Sequence, residues 1–401
     1  MKSRYFIFIV FIVSFLVYGC ASKEVARCTL PEDNSEHHYF SGMKALEEGK
    51  TDLAIEKFER ALYCEQNFSK AHSGIAIARA QKAKLIKDTE FRTLEFQRIE
   101  NELKLAKKMT KQPEEEFDYY IAQIRVYTAL KTNSPEQVES SYFDAIDLNI
   151  DENKLGYYQG KEAAHYFMGL FYLESLAFQK AKDKFAAVLN AKKESKWNEK
   201  ADRAWKKTDK IVRAIAGITI GNVGKKIAIQ DSITRADLAA LLVNELTIEK
   251  LFAGKISAQS QIEKIKPEFI PADIINHPFK KEILTILKWK IRGFEPTYDE
   301  TTKAYLFKPD EIVKKAEMAL ILEDILIKLT GDEKIATAFL GHEKSPFPDV
   351  KTTSPIYNAV MNMITRGIME AELSGEFNPD KAVTGAEAIL AIRMFKQRLN
   401  I

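Results

Sequence analysis

The chain is predicted to be mainly all-α, in two helical halves with few or no strands. Three observations predict this. Glycine and proline are sparse, 17 and 12 of 401 residues, and proline is thinnest before residue 260; an all-β chain is punctuated by such turn residues every few positions. Charges of both signs are interspersed rather than blocked, which suits solvated helix faces. One set of segments recurs in the first half and a different set in the second, and such internal repetition marks repeat architectures.

The N-terminus is read first. Met1-Lys2-Ser3-Arg4 precede a nearly unbroken apolar run from Tyr5 to Tyr18, followed by Gly19-Cys20-Ala21-Ser22. Cations, an apolar stretch and a small residue before a cleavage point make a secretory signal. The run falls short of the roughly 20 residues a permanent membrane helix needs. Val17-Tyr18-Gly19-Cys20 resembles the lipobox of bacterial lipoproteins. That resemblance implies acylation of Cys20, which becomes the first mature residue. An ordinary signal peptide, or an uncleaved anchor helix with an incidental cysteine, is the alternative. Each buried acyl CH₂ contributes about 0.8 kcal/mol, so several chains on one sulfur would hold the protein to a membrane.

Removing residues 1–19 also removes Lys2 and Arg4, so the formal charge falls from +3 to about +1. With 60 basic and 57 acidic residues, the chain offers no global electrostatic case for nucleic acid. The length that remains suits two or three domains. The expected division is a lipid-anchored linker at 20–36, a helical repeat domain at 37–195, a capping helix at 196–217 and a second repeat domain at 218–401. Cys28 and Cys64 remain in a compartment that permits disulfides. Either they bond and pin the N-terminal segment to the first repeat, or Cys64 is a small buried residue and Cys28 a free thiol.

In the first half, His38-Tyr39-Phe40-Ser41-Gly42 recurs as His165-Tyr166-Phe167-Met168-Gly169. Gly42, Ala45, Ala54, Phe58 and Ala61 align with Gly169, Tyr172, Ala181, Phe185 and Val188. Gly42 and Ala45 permit close approach of a second helix. Ala54, Phe58 and Ala61 share one helical face, and Glu48-Gly49-Lys50 forms the turn between helices. A second unit begins near Ala71, its later helix striped by Phe96, Ile99, Leu103 and Ala106. A third, degenerate unit spans 113–149, with Val126, Ala129, Val138, Tyr142 and Ala145 in the signature places. The fourth spans 161–190, and an amphipathic helix at 196–216 would cap the stack. The spacing resembles the tetratricopeptide repeat, a two-helix unit of about 34 residues; a non-repetitive helical domain is the alternative. The resemblance implies a solenoid whose concave face receives another protein. Tyr39, Tyr119 and Tyr166, with Tyr120, Tyr157 and Tyr158, are the candidates for that face. Tyrosine offers contact area at little entropy cost, and the same positions equally suit the repeat core.

From about Ile218 the pattern changes. Phe347-Pro348-Asp349-Val350 opens a segment that continues through 357–368, Phe377-Asn378-Pro379-Asp380 and Val383-Thr384-Gly385-Ala386-Glu387. Asp273-Ile274, a helix over 278–291, Phe307-Lys308-Pro309-Asp310 and Val313-Lys314-Lys315-Ala316-Glu317 repeat that order. Both first helices close on Arg-Gly, at Arg292-Gly293 and Arg366-Gly367. A third copy keeps only Ile233-Thr234-Arg235-Ala236-Asp237 and the helix after it. These segments resemble the surface-layer homology module, in repeats of about 218–250, 271–330 and 346–398. Much of the motif is fold: Thr234 with Asp237 and Thr384 with Glu387 fit the capping box, and Phe307 and Phe377 suit the core. In that family the arginine of the I-T-R-A-E stretch lines a groove that binds acidic cell-wall polysaccharide, for which its planar fork is suited. Here the position reads Arg235, Lys315 and Gly385, so Arg235 and Lys315 are the polymer-binding candidates and one groove has lost its cation.

No catalytic constellation stands out. Gly217 to Lys226 lacks the P-loop spacing, and Lys226 stands where a hydroxyl should hold magnesium. The six histidines, His37, His38, His72, His165, His277 and His342, show no metalloprotease spacing. No cysteine pair has zinc spacing, and no G-x-S-x-G elbow occurs. No enzyme activity, cofactor or metal is expected. The expectation is an envelope lipoprotein scaffold, with Ser22 resembling the outer-membrane sorting pattern. It would be held by its lipid, bind an envelope protein through the first half, and bind cell-wall or envelope polymer through the second. An assembly or export accessory factor, using both halves on proteins, is the competing reading.

Overall fold

The computed structural model describes residues 28, 30–131, 135–191, 193–254 and 268–400. Cys20 and the signal segment lie outside the described residues. The chain divides into two compact units, Met1–Met168 and Gly169–Ile401. It is mainly helical, with one two-stranded sheet among the described residues.

The first unit is a series of helix pairs: α1 (Ser35–Glu47) with α2 (Thr51–Cys64), α3 (Ser69–Ala83) with α4 (Thr89–Met109), and α5 (Pro113–Leu130) with α6 (Pro135–Asp147). Helix α7 (Glu162–Glu174) carries the dividing point between the units. The first turn, at Glu48 to Lys50, needs a left-handed residue, and Gly49 supplies it with φ 74°. The repeated small-aromatic signature has a direct cause. A Cβ on Gly42 or on Gly74 would stand 2.5 Å from the Phe58 ring. Phe58 therefore packs between α1 and α3 only because both lack a side chain there. Gly169 meets Phe185 the same way in the second unit. Helix α4 buries Ile99, Leu103 and Ala106, while Phe96 is half-buried and its first turns are exposed. Cys28 and Cys64 are joined, with their Cα atoms 5.4 Å apart.

The second unit continues with α8 (Phe178–Asn190), α9 (Lys196–Ile215), α10 (Asn222–Ala228), α11 (Arg235–Asn244), α12 (Ile248–Ala253) and α13 (Lys280–Lys288). A hairpin of β1 (Thr297–Asp299) and β2 (Ala304–Leu306) follows, with Tyr298 opposite Tyr305. The unit ends with α14 (Lys315–Thr330), α15 (Tyr357–Thr365) and α16 (Gly385–Leu399). The expected helices over 278–291 and 357–368 are shorter in the structure: Arg366 caps the second and Gly367 turns it off at φ 63°, whereas the first ends at Lys288 and turns off at the left-handed Lys290, before the Arg292-Gly293 pair is reached. One apolar core runs from Phe178 and Ile211 through Leu241, Ile286 and Phe307 to Phe377 and Phe395. Helices α8 and α9 therefore share their core with the repeats that follow. Arg393 of α16 donates to the carbonyls of Arg213 at 2.6 Å and Ala216 at 3.1 Å, satisfying the otherwise bare end of α9.

Candidate functional site

Three buried β-branched residues, Ile233, Val313 and Val383, close a ring of main-chain hydrogen bonds. Val313 N–H donates to the Ile233 carbonyl, Ile233 to Val383 and Val383 to Val313, each at 2.9 Å. Each residue sits just before the cap of one helix, α11, α14 or α16. The first free N–H groups of those helices then reach into the neighbouring repeat. Arg235 donates to Glu311 at 2.8 Å, Lys315 to Lys381 at 2.9 Å and Gly385 to Gln230 at 3.0 Å. The three repeats thus form a closed cycle, first to second to third and back to first.

Two carboxylates hold the strand-like entries to this ring. Asp273 accepts from the N–H groups of Phe307 at 2.9 Å and Lys308 at 2.6 Å. Asp349 accepts from Phe377 at 3.0 Å and Asn378 at 2.6 Å. Lys308 and Asn378 both sit at φ 57°, and the pair of hydrogen bonds that each carboxylate accepts from two successive N–H groups holds them in that unfavourable region. The capping boxes form at Thr234 with Asp237 and at Thr384 with Glu387. At α14, Glu317 accepts the Lys314 N–H at 2.8 Å, but a lysine side chain has no acceptor to return.

The repetition, the carboxylate staples and the aromatic entries coincide in the last repeat with a known domain. Residues 346–389 match the S-layer homology domain. No curated protein and no solved structure matches the chain. The matched stretch runs from Pro346 past the N-terminal turns of α16, and so contains Asp349, Phe377, Val383 and Gly385. Phe347 and Phe377 are buried against one another, with ring centroids 6.1 Å apart.

In each of the three repeats the residue after the helix cap, Arg235, Lys315 or Gly385, lies in a seam between repeats. Arg235 donates through Nη1 to the Gly293 carbonyl at 2.6 Å and through Nε to the Phe307 carbonyl at 3.0 Å. Its guanidinium lies 4.8 Å over the Phe307 ring. Lys315 reaches the Glu370 carbonyl at 3.1 Å and stands 4.8 Å over the Phe377 ring. Burial is the largest influence on both cations and pulls their pKa values below the ordinary ones. Glu311, Glu317, Glu295 and Asp273 surround Arg235 and oppose that shift. The third seam has no room for a side chain: a Cβ on Gly385 would overlap the Ile227 carbonyl. The missing cation is thus a steric necessity of the short first repeat, in which α10 stands where the fuller repeats have a longer front.

Among the tyrosine candidates of the first half, Tyr39 and Tyr119 are buried and Tyr166 is half-buried. Tyr39 donates to Asp118 at 2.5 Å and packs against Phe58, Phe68 and Tyr157. Tyr119 lies beside Tyr120 and under the Lys107 ammonium. Tyr39 and Tyr119 therefore belong to the packing of their unit rather than to an open face. Tyr158 is also buried, where it accepts from Arg125 at 3.2 Å. Tyr157 hydrogen-bonds Glu47. Asp118, wholly buried, was not foreseen as special. The signal in the sequence is a carboxylate set between the aromatics Phe117 and Tyr119, masked by the acidic run Glu114 to Glu116 just before it. Among the described residues, Cys28, Asp33 and Cys64 cluster closely enough to suggest metal ligands. The two sulfurs are already joined to each other, and Asp33 is taken by Arg60 at 2.7 Å and His38 at 2.7 Å.

Proposed function

We propose that the protein is a membrane-anchored, non-enzymatic scaffold of a bacterial envelope, its C-terminal repeats holding a cell-wall or envelope polymer and its N-terminal helix pairs a partner protein. The observation that carries this reading is the closed ring of three S-layer homology-like repeats, whose last member matches that domain. The anchor rests on the lipobox resemblance at Cys20, and the outer membrane on Ser22. The tetratricopeptide-like spacing of the helix pairs supports protein binding.

The polymer would meet the seams at Arg235 and Lys315. Arg235 uses two of its three nitrogens on main-chain carbonyls, and its Nη2 has no partner among the described residues. That nitrogen still offers donors to a carboxylate or a sugar hydroxyl. Sedimentation of the purified protein with isolated sacculi tests the reading: wild type should pellet with no other protein present, and Arg235→Ala should pellet less.

One observation favours a second reading. Four carboxylates around Arg235 make that seam a poor host for an acidic polymer. An outer-membrane assembly or export accessory factor would use both units on proteins. It predicts no binding to sacculi and copurification with an envelope complex.

A further inference from the structure

Helices α3 and α4 are joined by residues 84–88, and this end of the pair is both apolar and cationic. Leu85 is 80% exposed, Phe91 56% and Leu94 47%. Phe91 and Leu94 lie three residues apart on one face of α4, and Leu85 stands in the connecting turn. Lys84, Lys87 and Arg92 are exposed beside them, and none makes an ion pair among the described residues. Arg92 lies 6.0 Å over the half-buried Phe96 ring. Of the two acids here, Asp88 is committed as the cap of α4, accepting the Phe91 N–H at 2.8 Å; Glu90 is left in the first turn. Farther back the charges are spent: Lys82 pairs with Asp52, and Glu95 takes both Arg79 and Arg98.

We propose that this tip is a membrane-surface contact, with Leu85, Phe91 and Leu94 entering the headgroup region of a bilayer and Lys84, Lys87 and Arg92 meeting lipid phosphates. Large apolar side chains ringed by unpaired cations are what an anionic bilayer surface selects. A protein groove would have to match the same cations with placed carboxylates, and a second copy would bring like charge against like. The contact needs no acyl chain, so it stands apart from the anchor at Cys20. The two are compatible in reach. The eight steps from Cys20 to Cys28 extend at most about 28 Å, and the stretch of α2 from Asp52, which pairs with Lys82, to Cys64 spans about 18 Å.

The test places an environment-sensitive fluorophore on Leu85→Cys in the full chain. Cys28 and Cys64 are bonded, and the parent chain carried through the same labelling reports any thiol left at Cys20. Vesicles of phosphatidylglycerol and phosphatidylcholine should shift the emission to the blue; pure phosphatidylcholine vesicles should shift it far less. High salt should reverse the shift. The triple change Lys84→Glu, Lys87→Glu, Arg92→Glu should lower partition at least about ten-fold with an unchanged melting temperature. A label at Lys351→Cys, in the second unit, should not respond. The proposal is overturned if anionic vesicles give no shift or neutral vesicles give an equal one. A shift that grows with protein concentration in the absence of lipid overturns it too, since a second copy would then be the occupant. Failure of the Cys20 reading shows separately, as release of the whole protein from vesicles at high salt.

Discussion

Gly385 lies against Ile227 so closely that a side chain on the first would occupy the place of the second's carbonyl oxygen. The contact is main chain against main chain, and the Gly385 N–H is itself bonded to the Gln230 carbonyl at 3.0 Å. Gly385→Ala must therefore open the third seam, at a cost of about 2 kcal/mol or more. Gly385→Arg, which would repeat at the third seam the residue that stands at 235, should destabilise further rather than create a groove. Denaturant titration of both variants checks this; an Arg variant as stable as wild type would show that the seam can part freely.

Arg235 ties the first repeat to the second through two carbonyls and one ring. Arg235→Ala leaves the Gly293 and Phe307 carbonyls without that donor and should cost about 2–3 kcal/mol. Arg235→Lys keeps a cation over Phe307 but reaches only one carbonyl, and should lose about half as much. The check is a melting curve for each variant beside the sacculus assay. A polymer role lowers binding in Arg235→Lys beyond what its stability accounts for, whereas a purely structural role lowers the two together.

These two cases show which parts of the fold were legible in the sequence. Gly42 with Phe58, and Gly169 with Phe185, could be read because helix pairing is local and repeats its residues at fixed spacing. The aromatic entries at Phe307 and Phe377 could be read for the same reason. Gly385 could only be read as a lost cation, because its neighbour Ile227 is distant in sequence and lies ahead of the only motif the first repeat keeps, Ile233 to Asp237. The burial of Tyr39 was equally hidden. It depends on Asp118 from another helix pair and on Tyr157 from a connecting segment, and tyrosine serves cores and recognition faces alike. The β1–β2 hairpin, in a chain expected to have few or no strands, pairs only three residues on each side, too few for alternation to announce it.

Asp349 and Asp273 should be interchangeable in effect. Each carboxylate receives two consecutive N–H groups, and one member of each pair belongs to a non-glycine residue at positive φ. Alanine at either position frees both donors and the strained residue, for an expected loss of about 2–4 kcal/mol. Asparagine retains one acceptor and should lose about half. Amide exchange reads this locally: protection at Asn378 should fall in Asp349→Ala and remain in Asp273→Ala.

The disulfide closes a segment of 36 residues in sequence separation. In the chain-entropy account that is worth up to about 4 kcal/mol. Cys28→Ser should lower the stability of the first unit by that order, and reductant should lower wild type by a similar amount without affecting the variant. If reductant acts equally on both, the bond contributes nothing to stability.

Asp118 makes the first unit sensitive to pH. Its carboxyl is wholly buried, with one oxygen bonded to the Tyr39 hydroxyl and the other without a partner. Burial raises its pKa from 3.8 to about 7, with Lys70 and the Tyr39 hydrogen bond working against the rise and Glu36 and Glu115 adding to it. Tyr158 also faces it across the same pocket of packing. The folded chain therefore holds this proton more tightly than the unfolded chain does. The stabilisation from protonated Asp118 is complete below pH 3.8, declines as the unfolded form ionises, and is lost as pH rises through 7. Between pH 4 and pH 8 wild type should lose at most about 4 kcal/mol relative to Asp118→Asn, which has no proton to release. Asn also keeps an acceptor for Tyr39, so packing is preserved at low pH. The measurement is denaturant stability of both proteins across that range. Parallel curves would mean that Asp118 titrates alike in both states, and that Lys70, paired with Glu36 at 2.8 Å, supplies enough positive charge to hold the buried carboxylate ionised.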